Sequence, residues 1–327
     1  MACHGSLHGK FENSSFSNQF HLELEYPVGL PRGCLLRRQN QMEINMLKFS
    51  AHKDKEVIDS PLGKKSSYIS QYNPGLLFPI PRQIKRDEIG IKEPLPFNGF
   101  DTWNAYEVSW LNLKGKPIVA IVQFDISCLS KNIIESKSFK LYLNSFNNTK
   151  FDSVQDVKKV LEHDIQEVAS GKISVRIFKL DDVLGQKIEA FDGQCIDDYD
   201  ATCDTYTINK KYLSTEFMNI VDETIYSNLL KSNCLVTGQP DWGSVQIKYK
   251  GPAINRIGLL QYIVSFRDHN EFHEQCVERI FMDIMDCCKP EILTVEARYT
   301  RRGGLDINPI RSTEDISPAT NIRMARQ

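Results

Sequence analysis

The sequence has no long apolar run. Its longest, Ile118-Val119-Ala120-Ile121-Val122, falls far short of the ~20 residues a membrane span requires. The first residues, MACHGSLHGK, have no apolar core, so a secretory leader is not expected there. Charge of one sign is not in excess: 40 Lys and Arg face 42 Asp and Glu, which argues against a dedicated duplex nucleic-acid binder. Neither a G-x-G-x-x-G nor a Walker pattern occurs, so a Rossmann or P-loop nucleotide site has no support. The nine cysteines are odd in number and show no regular spacing. Without a leader they are expected to be free thiols of a reducing compartment. Cys287-Cys288 has no C-x-x-C partner pair and no nearby His, so a zinc site is not expected.

What is present is ordinary globular composition, 41% hydrophobic and 25% charged, over 327 residues, enough for roughly two domains. Residues 1–59 mix polar residues with isolated aromatics and read as an N-terminal extension, largely disordered. A Pro- and Gly-rich arm follows, then two runs of strand character, Trp103–Leu113 and Pro117–Cys128, joined by a Lys114-Gly115-Lys116 turn. Ser138–Phe146 and Ser153–Ser170 read as helices, with Ser153 as N-cap, Gly171 as the stop, and Val157, Leu161 and Ile165 on one face. Lys172–Leu180 alternates like a strand. A repeat emerges at an offset of 120 residues. Leu141-Tyr142-Leu143-Asn144-Ser145-Phe146 matches Gln261-Tyr262-Ile263-Val264-Ser265-Phe266 in its Tyr, Ser and Phe. A long amphipathic pattern follows each copy, Asn270–Cys288 in the second. Then comes a strand in each half, Ile173-Ser174-Val175 against Leu293-Thr294-Val295. The period is too long for a solenoid. It implies a duplicated α+β unit: strand, strand, helix, helix, strand. Ser244–Lys250 supplies one arm of the second hairpin, and Phe217–Leu230 fits helix and strand spacing equally well.

Three segments could carry chemistry. Ser232–Ser244 joins two apolar runs, is rich in turn residues and reads as a loop. It places Cys234 and Asp241 seven apart, a thiol nucleophile and a carboxyl proton donor suited to covalent addition. On spacing alone, a packing cysteine beside a backbone-capping Asp is the commoner case. His269-Asn270-Glu271-Phe272-His273-Glu274 is not an H-E-x-x-H site, because the letters are out of place. His273 and Glu274 are either a solvated first helical turn or a pair that hydrogen-bonds a planar heterocycle. Glu135-Ser136-Lys137-Ser138-Phe139-Lys140 opens a helix. Lys137 there is either one charge of a surface cluster or, with free backbone N–H groups, part of an anion site. Thr300-Arg301-Arg302-Gly303-Gly304 has similar anion-binding character.

Taken together, these segments resemble the NADPH-dependent 7-cyano-7-deazaguanine reductases, the nitrile reductases of queuosine biosynthesis, in their long two-module form. The resemblance spans about residues 60–312 and rests on Glu135–Lys140, Cys234 with Asp241, Glu271–Glu274, and Thr300–Pro309. It implies two tandem tunnelling-fold modules, each an antiparallel sheet with two helices on one face, at 60–190 and 191–327, in a cytoplasmic homodimer. It implies Cys234 as nucleophile and Asp241 as proton donor. Glu135, Ser136, Lys137, His273 and Glu274 would hold the deazaguanine nitrile. Lys137, Ser138, Arg302 and Gly303 would hold NADPH, two per turnover, with no metal. The substrate is the free base, so no direct tRNA contact is expected. The alternatives are a zinc-dependent GTP cyclohydrolase-like enzyme and a non-catalytic deazapurine-binding module of the same fold.

Overall fold

Residues 68–318 and 321–327 are described by a computed structural model; the expected extension 1–59 lies outside them. The arm forms β1 (Pro79–Pro81) and α1 (Arg82–Glu88). The first half then runs β2 (Asn98–Leu111), β3 (Pro117–Ser127), β4 (Asn132–Ile134), α2 (Ser136–Asn144), α3 (Val154–Ala169) and β5 (Ile173–Phe178). Short strands β6 (Ile188–Glu189) and β7 (Gln194–Cys195) lead to the second half. It runs β8 (Thr215–Ser227), β9 (Lys231–Asn233), β10 (Pro240–Ile254), α4 (Arg256–Val264), α5 (His273–Cys288), β11 (Ile292–Tyr299) and β12 (Leu305–Ser312). A short β13 (Arg323–Met324) comes last. One sheet collects strands of both halves in the order β5-β3-β2-β12-β11-β10-β8-β7, with β9 paired to β10. The order strand, strand, helix, helix, strand thus occurs twice, and β12 lies between the two sets.

The residues dictate this directly. Along β2 and β3, Trp103, Ala105, Phe124 and Ile126 turn to the helix-covered face, while Asn104, Gln123 and Asp125 turn to the other. The turn between them is held by Asn112, whose side-chain oxygen accepts from the N–H groups of Lys114 and Lys116. The repeated Tyr-x-x-Ser-Phe segment performs the same task in each half. Tyr142 donates to Asp164 at 2.6 Å and Tyr262 to Asp283 at 2.7 Å, tying the short helix to the long one. Ser145 and Ser265 each donate to the carbonyl three residues back at 2.6 Å. Tyr142–Phe146 and Tyr262–Phe266 form edge-to-face pairs at 5.2 and 5.3 Å.

Several boundaries differ from the sequence expectation. Helix α2 starts two residues early, at Ser136, because Glu135 caps it. Helix α3 has Ser153 at its N-cap, yet it stops on Ser170 in the left-handed region rather than on Gly171. Lys289 ends α5 in the same way. That helix begins at His273, three residues later than its apolar pattern suggests. The ambiguous Phe217–Leu230 stretch is mostly strand, since β8 pairs with β10 over ten positions. Ser232–Ser244 is a hairpin rather than a loop: β9 and β10 pair at Asn233↔Pro240 and Ser232↔Asp241.

A buried ion chain joins the halves. Arg311, on β12, has no exposed surface; it sits 2.8 Å from Asp101 of β2 and 2.9 Å from Glu278 of α5. Arg82 reaches Asp101 at 2.5 Å and Arg86 reaches Glu278 at 2.7 Å, both from α1. Burial opposes each charge. The cations nevertheless hold the Asp101 and Glu278 carboxyls below the usual range, and the two anions raise Arg311. Removing one partner of such a network leaves uncompensated charge in the interior. Arg311→Ala is therefore expected to cost about 3–5 kcal/mol of stability. Urea denaturation checks this; a loss below about 1 kcal/mol would show that the network carries little.

Candidate active site

The seven-residue spacing of Cys234 and Asp241 has a geometric cause. In the β9–β10 hairpin, Cys234 N–H donates to Gln239 O at 2.8 Å and Gly238 N–H to Cys234 O at 3.0 Å. Gly238 takes φ +66°, which favours glycine. Asp241 stands opposite Ser232, two residues from Cys234 on the same strand face, so both side chains turn the same way. Thiol and carboxyl enter one cleft and are nearly buried, at 6% and 7% exposure.

The cleft takes residues from both halves. Trp103, Ile133, Ile134, Leu235, Phe272 and Ile307 form apolar walls around about 390 Å³ of space open to solvent. Its polar lining is Ser136, Cys234, Asp241, Glu271, His273, Glu274 and Arg302. Around Asp241 the groups are cationic or can become so. Arg302 Nη1 lies 3.0 Å from one carboxylate oxygen and His273 Nε2 lies 3.4 Å from the other. Burial pushes this carboxyl up, but His273, Arg302 and Lys140 outweigh it and hold Asp241 below the ordinary range. Arg302 is aimed by a tight turn: its N–H donates to Leu305 O at 2.9 Å, and Gly303 and Gly304 both take positive φ. His273 stacks flat on Tyr299, with centroids 3.9 Å apart.

The three carboxyl groups nearby have different environments. Glu271 is bound to Arg279 at 2.5 Å and lies 3.2 Å from His269, so its charge is committed to structure and its pKa is lowered. Glu274 is buried at the start of α5, and burial with the Asp101 charge raises its pKa. Burial likewise raises Glu135, whose two oxygens accept from Lys137 N–H and Ser138 N–H, each at 2.7 Å.

These contacts place the residues expected at the site. The N–H groups that Lys137 was to share with an anion are taken by Glu135. Ser138 does not reach the cleft: it is fully buried, its hydroxyl donating to Glu135 O and accepting from Phe78 N–H. Glu135, Lys137 and Gly303 lie outside the lining, while Ser136, Cys234, Asp241, His273, Glu274 and Arg302 come together in it. Lys140 was overlooked. Burial and then Arg302 lower its pKa, and it also feels Glu135, Asp241 and Cys234. Starting α2 at Ser136 would have revealed it, since Ser136 and Lys140 are i and i+4 on one helix face. Tyr299 and Trp103 carried no signal beyond strand pattern.

Removing the Arg302 cation should let the Asp241 carboxyl titrate at higher pH, because its ionised form loses a partner. Carbon NMR titration of labelled aspartate in Arg302→Ala checks this. An unmoved Asp241 would place the stabilisation on His273 and Lys140 alone.

A family profile described as "Nitrile reductase, 7-cyano-7-deazaguanine-reductase N-term" matches residues 68–177, and a second, described as "QueF-like protein", matches residues 240–318. The NADPH-dependent 7-cyano-7-deazaguanine reductase of Cupriavidus necator is 57% identical over 271 residues, 82% of this chain and 98% of its own. The protein of the same name from Dechloromonas aromatica is 56% identical over 269 residues, 82% of this chain and 95% of its own. Among solved structures, the archaeosine synthase QueF-Like in the apo form aligns with a TM-score of 0.26 and 14% identity. That alignment covers 30% of this chain and 96% of its own, a likeness too low to inform the fold. Matched by both profiles and by relatives along nearly their full length, the chain belongs to the NADPH-dependent 7-cyano-7-deazaguanine reductase family.

Proposed function

We propose that this chain reduces the nitrile of 7-cyano-7-deazaguanine to the primary amine 7-aminomethyl-7-deazaguanine at the Cys234 cleft. The observation that carries the reading is the joint entry of Cys234 and Asp241 from one hairpin into a cleft that also holds Glu274, His273 and Arg302. A nitrile carbon is a poor hydride acceptor. Addition of the Cys234 thiol forms a sulfur–carbon bond and turns the triple bond into a C=N–H thioimidate, a better acceptor. The thiol proton must end on the nitrile nitrogen. Asp241, held ionised by its cations, takes that proton as sulfur attacks and passes it on. It thus acts as base before it acts as the proton donor that the sequence suggested. NADPH, bound as co-substrate, would supply the two hydrides that the C=N carbon needs, with Cys234 leaving as thiolate between them and water supplying the two protons that complete the amine and restore the thiol.

Glu274 is a buried carboxyl with raised pKa, suited to accept N–H bonds from the heterocycle between apolar walls. Ser136 and His273 stand beside it. Glu135 and Lys137 flank Ser136 at the start of α2 and would hold the base from there. For NADPH, the cation lining the cleft is Arg302, within electrostatic reach of Lys140, and exposed Gly303 offers close backbone approach. We read 60–190 and 191–327 as tandem tunnelling-fold modules of a homodimer acting on the free base in the cytoplasm. No helix among the described residues is long and apolar enough to cross a membrane. The zinc-dependent reading needs clustered ligands, and no group of three or more His, Cys, Asp or Glu suited to a metal occurs among the described residues.

With NADPH withheld, Cys234 should form an adduct that raises the protein mass by the full mass of the cyano base, because addition loses no atom. Intact-protein mass spectrometry should find it in the wild type and not in Cys234→Ser; an adduct on Cys276 or Cys288 would overturn the assignment. Glu274→Gln should weaken binding of the base by about 1.5–3 kcal/mol, the worth of a charge-assisted bond. Calorimetric titration checks it, and wild-type affinity would reduce Glu274 to a helix-start charge.

A further inference from the structure

Strands β11 and β12 are bonded only at Thr294↔Ser312, Val295↔Arg311 and Glu296↔Ile310. The next residue along β12 is Pro309, which has no N–H to give. From there β11 continues with β10 to Tyr299, while β12 continues with β2 to Leu305. The sheet therefore opens. On its helix-covered face, Trp103, Ile307 and His273 of the cleft stand over the opening, and His273 rests on Tyr299.

The segment Asn321–Gln327 fills the opposite face. Asn321 donates to Asn104 at 2.7 Å and to Gln123 at 3.0 Å, and accepts from Arg298 at 2.5 Å. Gln327 Nε2 donates to Tyr299 O at 3.1 Å and to Asn308 Oδ1 at 2.8 Å; that same Oδ1 accepts from Tyr299 N–H at 3.2 Å. These side chains replace the ladder bonds lost after Pro309. Arg326 donates to Asn228 O at 2.7 Å, Gly243 O at 3.0 Å and Ser244 Oγ at 3.2 Å. The two backbone points so gripped, Gly243 and Tyr299, are cross-strand partners. Gly243 lies two residues beyond Asp241, and the Tyr299 ring packs over it so closely that an added Cβ would come within 3.1 Å.

We propose that Asn321–Gln327 is a clasp that holds Asp241 and His273 in register from behind the sheet, with Arg326 and Gln327 as positioning residues. This rests on the proposed proton-transfer role of Asp241. No other described segment bonds both the Gly243 and Tyr299 carbonyls from that face, and a displacement of about 1 Å at a reacting group can cost about 100-fold.

The experiment compares Arg326→Ala/Gln327→Ala with the full-length wild type, and both again in an Asp241→Asn background. The expected result is a fall in kcat of about 10- to 100-fold, with KM for the cyano base and for NADPH within about twofold. In the Asp241→Asn background the same pair of changes should add less than about threefold, because a residue acting through Asp241 is not independent of it. A kcat unchanged by the clasp variant, or an equal loss in both backgrounds, overturns the clasp. If Asp241→Asn alone leaves kcat intact, the proton role of Asp241 fails first, and the clasp as a positioning device fails with it. Arg326 is exposed, so Arg326→Ala alone provides a folded variant if the double change does not.

Discussion

A fully buried arginine sets the terms for this molecule. Arg311 has no water to solvate it, so Asp101 and Glu278 must stay within reach, and each of those needs its own second cation. The arrangement fixes β12 against β2 on one side and α5 on the other. From β12 comes Ile307 in the cleft wall, and from its leading turn comes Arg302 beside Asp241. From the first turn of α5 come His273 and Glu274. The ion chain is a poor source of net stability, since each charge lost its hydration, but it tolerates almost no change of register.

The site works by opposed environments. At Asp241 the neighbouring His273, Arg302 and Lys140 outweigh burial and hold the carboxyl below the ordinary range, while at Glu274 and Glu135 burial outweighs the nearby cations and pushes the carboxyl up. Carboxyl groups a short way apart are thereby given different tasks by their surroundings rather than by their chemistry. Glu271 shows the contrast: held by Arg279, it lines the same cleft yet has its hydrogen-bonding capacity spent.

Much of the fold was legible because local chemistry and packing agree. The Tyr-x-x-Ser-Phe repeat could be seen in the sequence since each of its letters makes a local bond or ring contact, in both halves alike. The amphipathic face of α3 was legible for the same reason. The start of α2 was not, because Glu is an uncommon cap. The chemistry of Cys234 and Asp241 could not be read from spacing, as seven residues mean nothing until the hairpin register puts both on one face. Asn321–Gln327 gave no signal at all: its bonds reach 19 to 217 residues back along the chain, and no local pattern encodes them.

The position of β12 also governs how the chain can come together. Strand β2 ends at Leu111, and its partner begins at Leu305. Until residue 312 has been made, Asn98–Ala105, the part of β2 that β12 pairs, is an open strand edge, and the buried Asp101 lacks Arg311. Assembly is thus dominated by a late, long-range closure, the slow and aggregation-exposed kind. While it waits, polar Asn98, Asp101, Thr102 and Asn104 along that edge keep it from being a uniformly apolar template for another chain. Their placement serves the nascent protein before it serves the finished one.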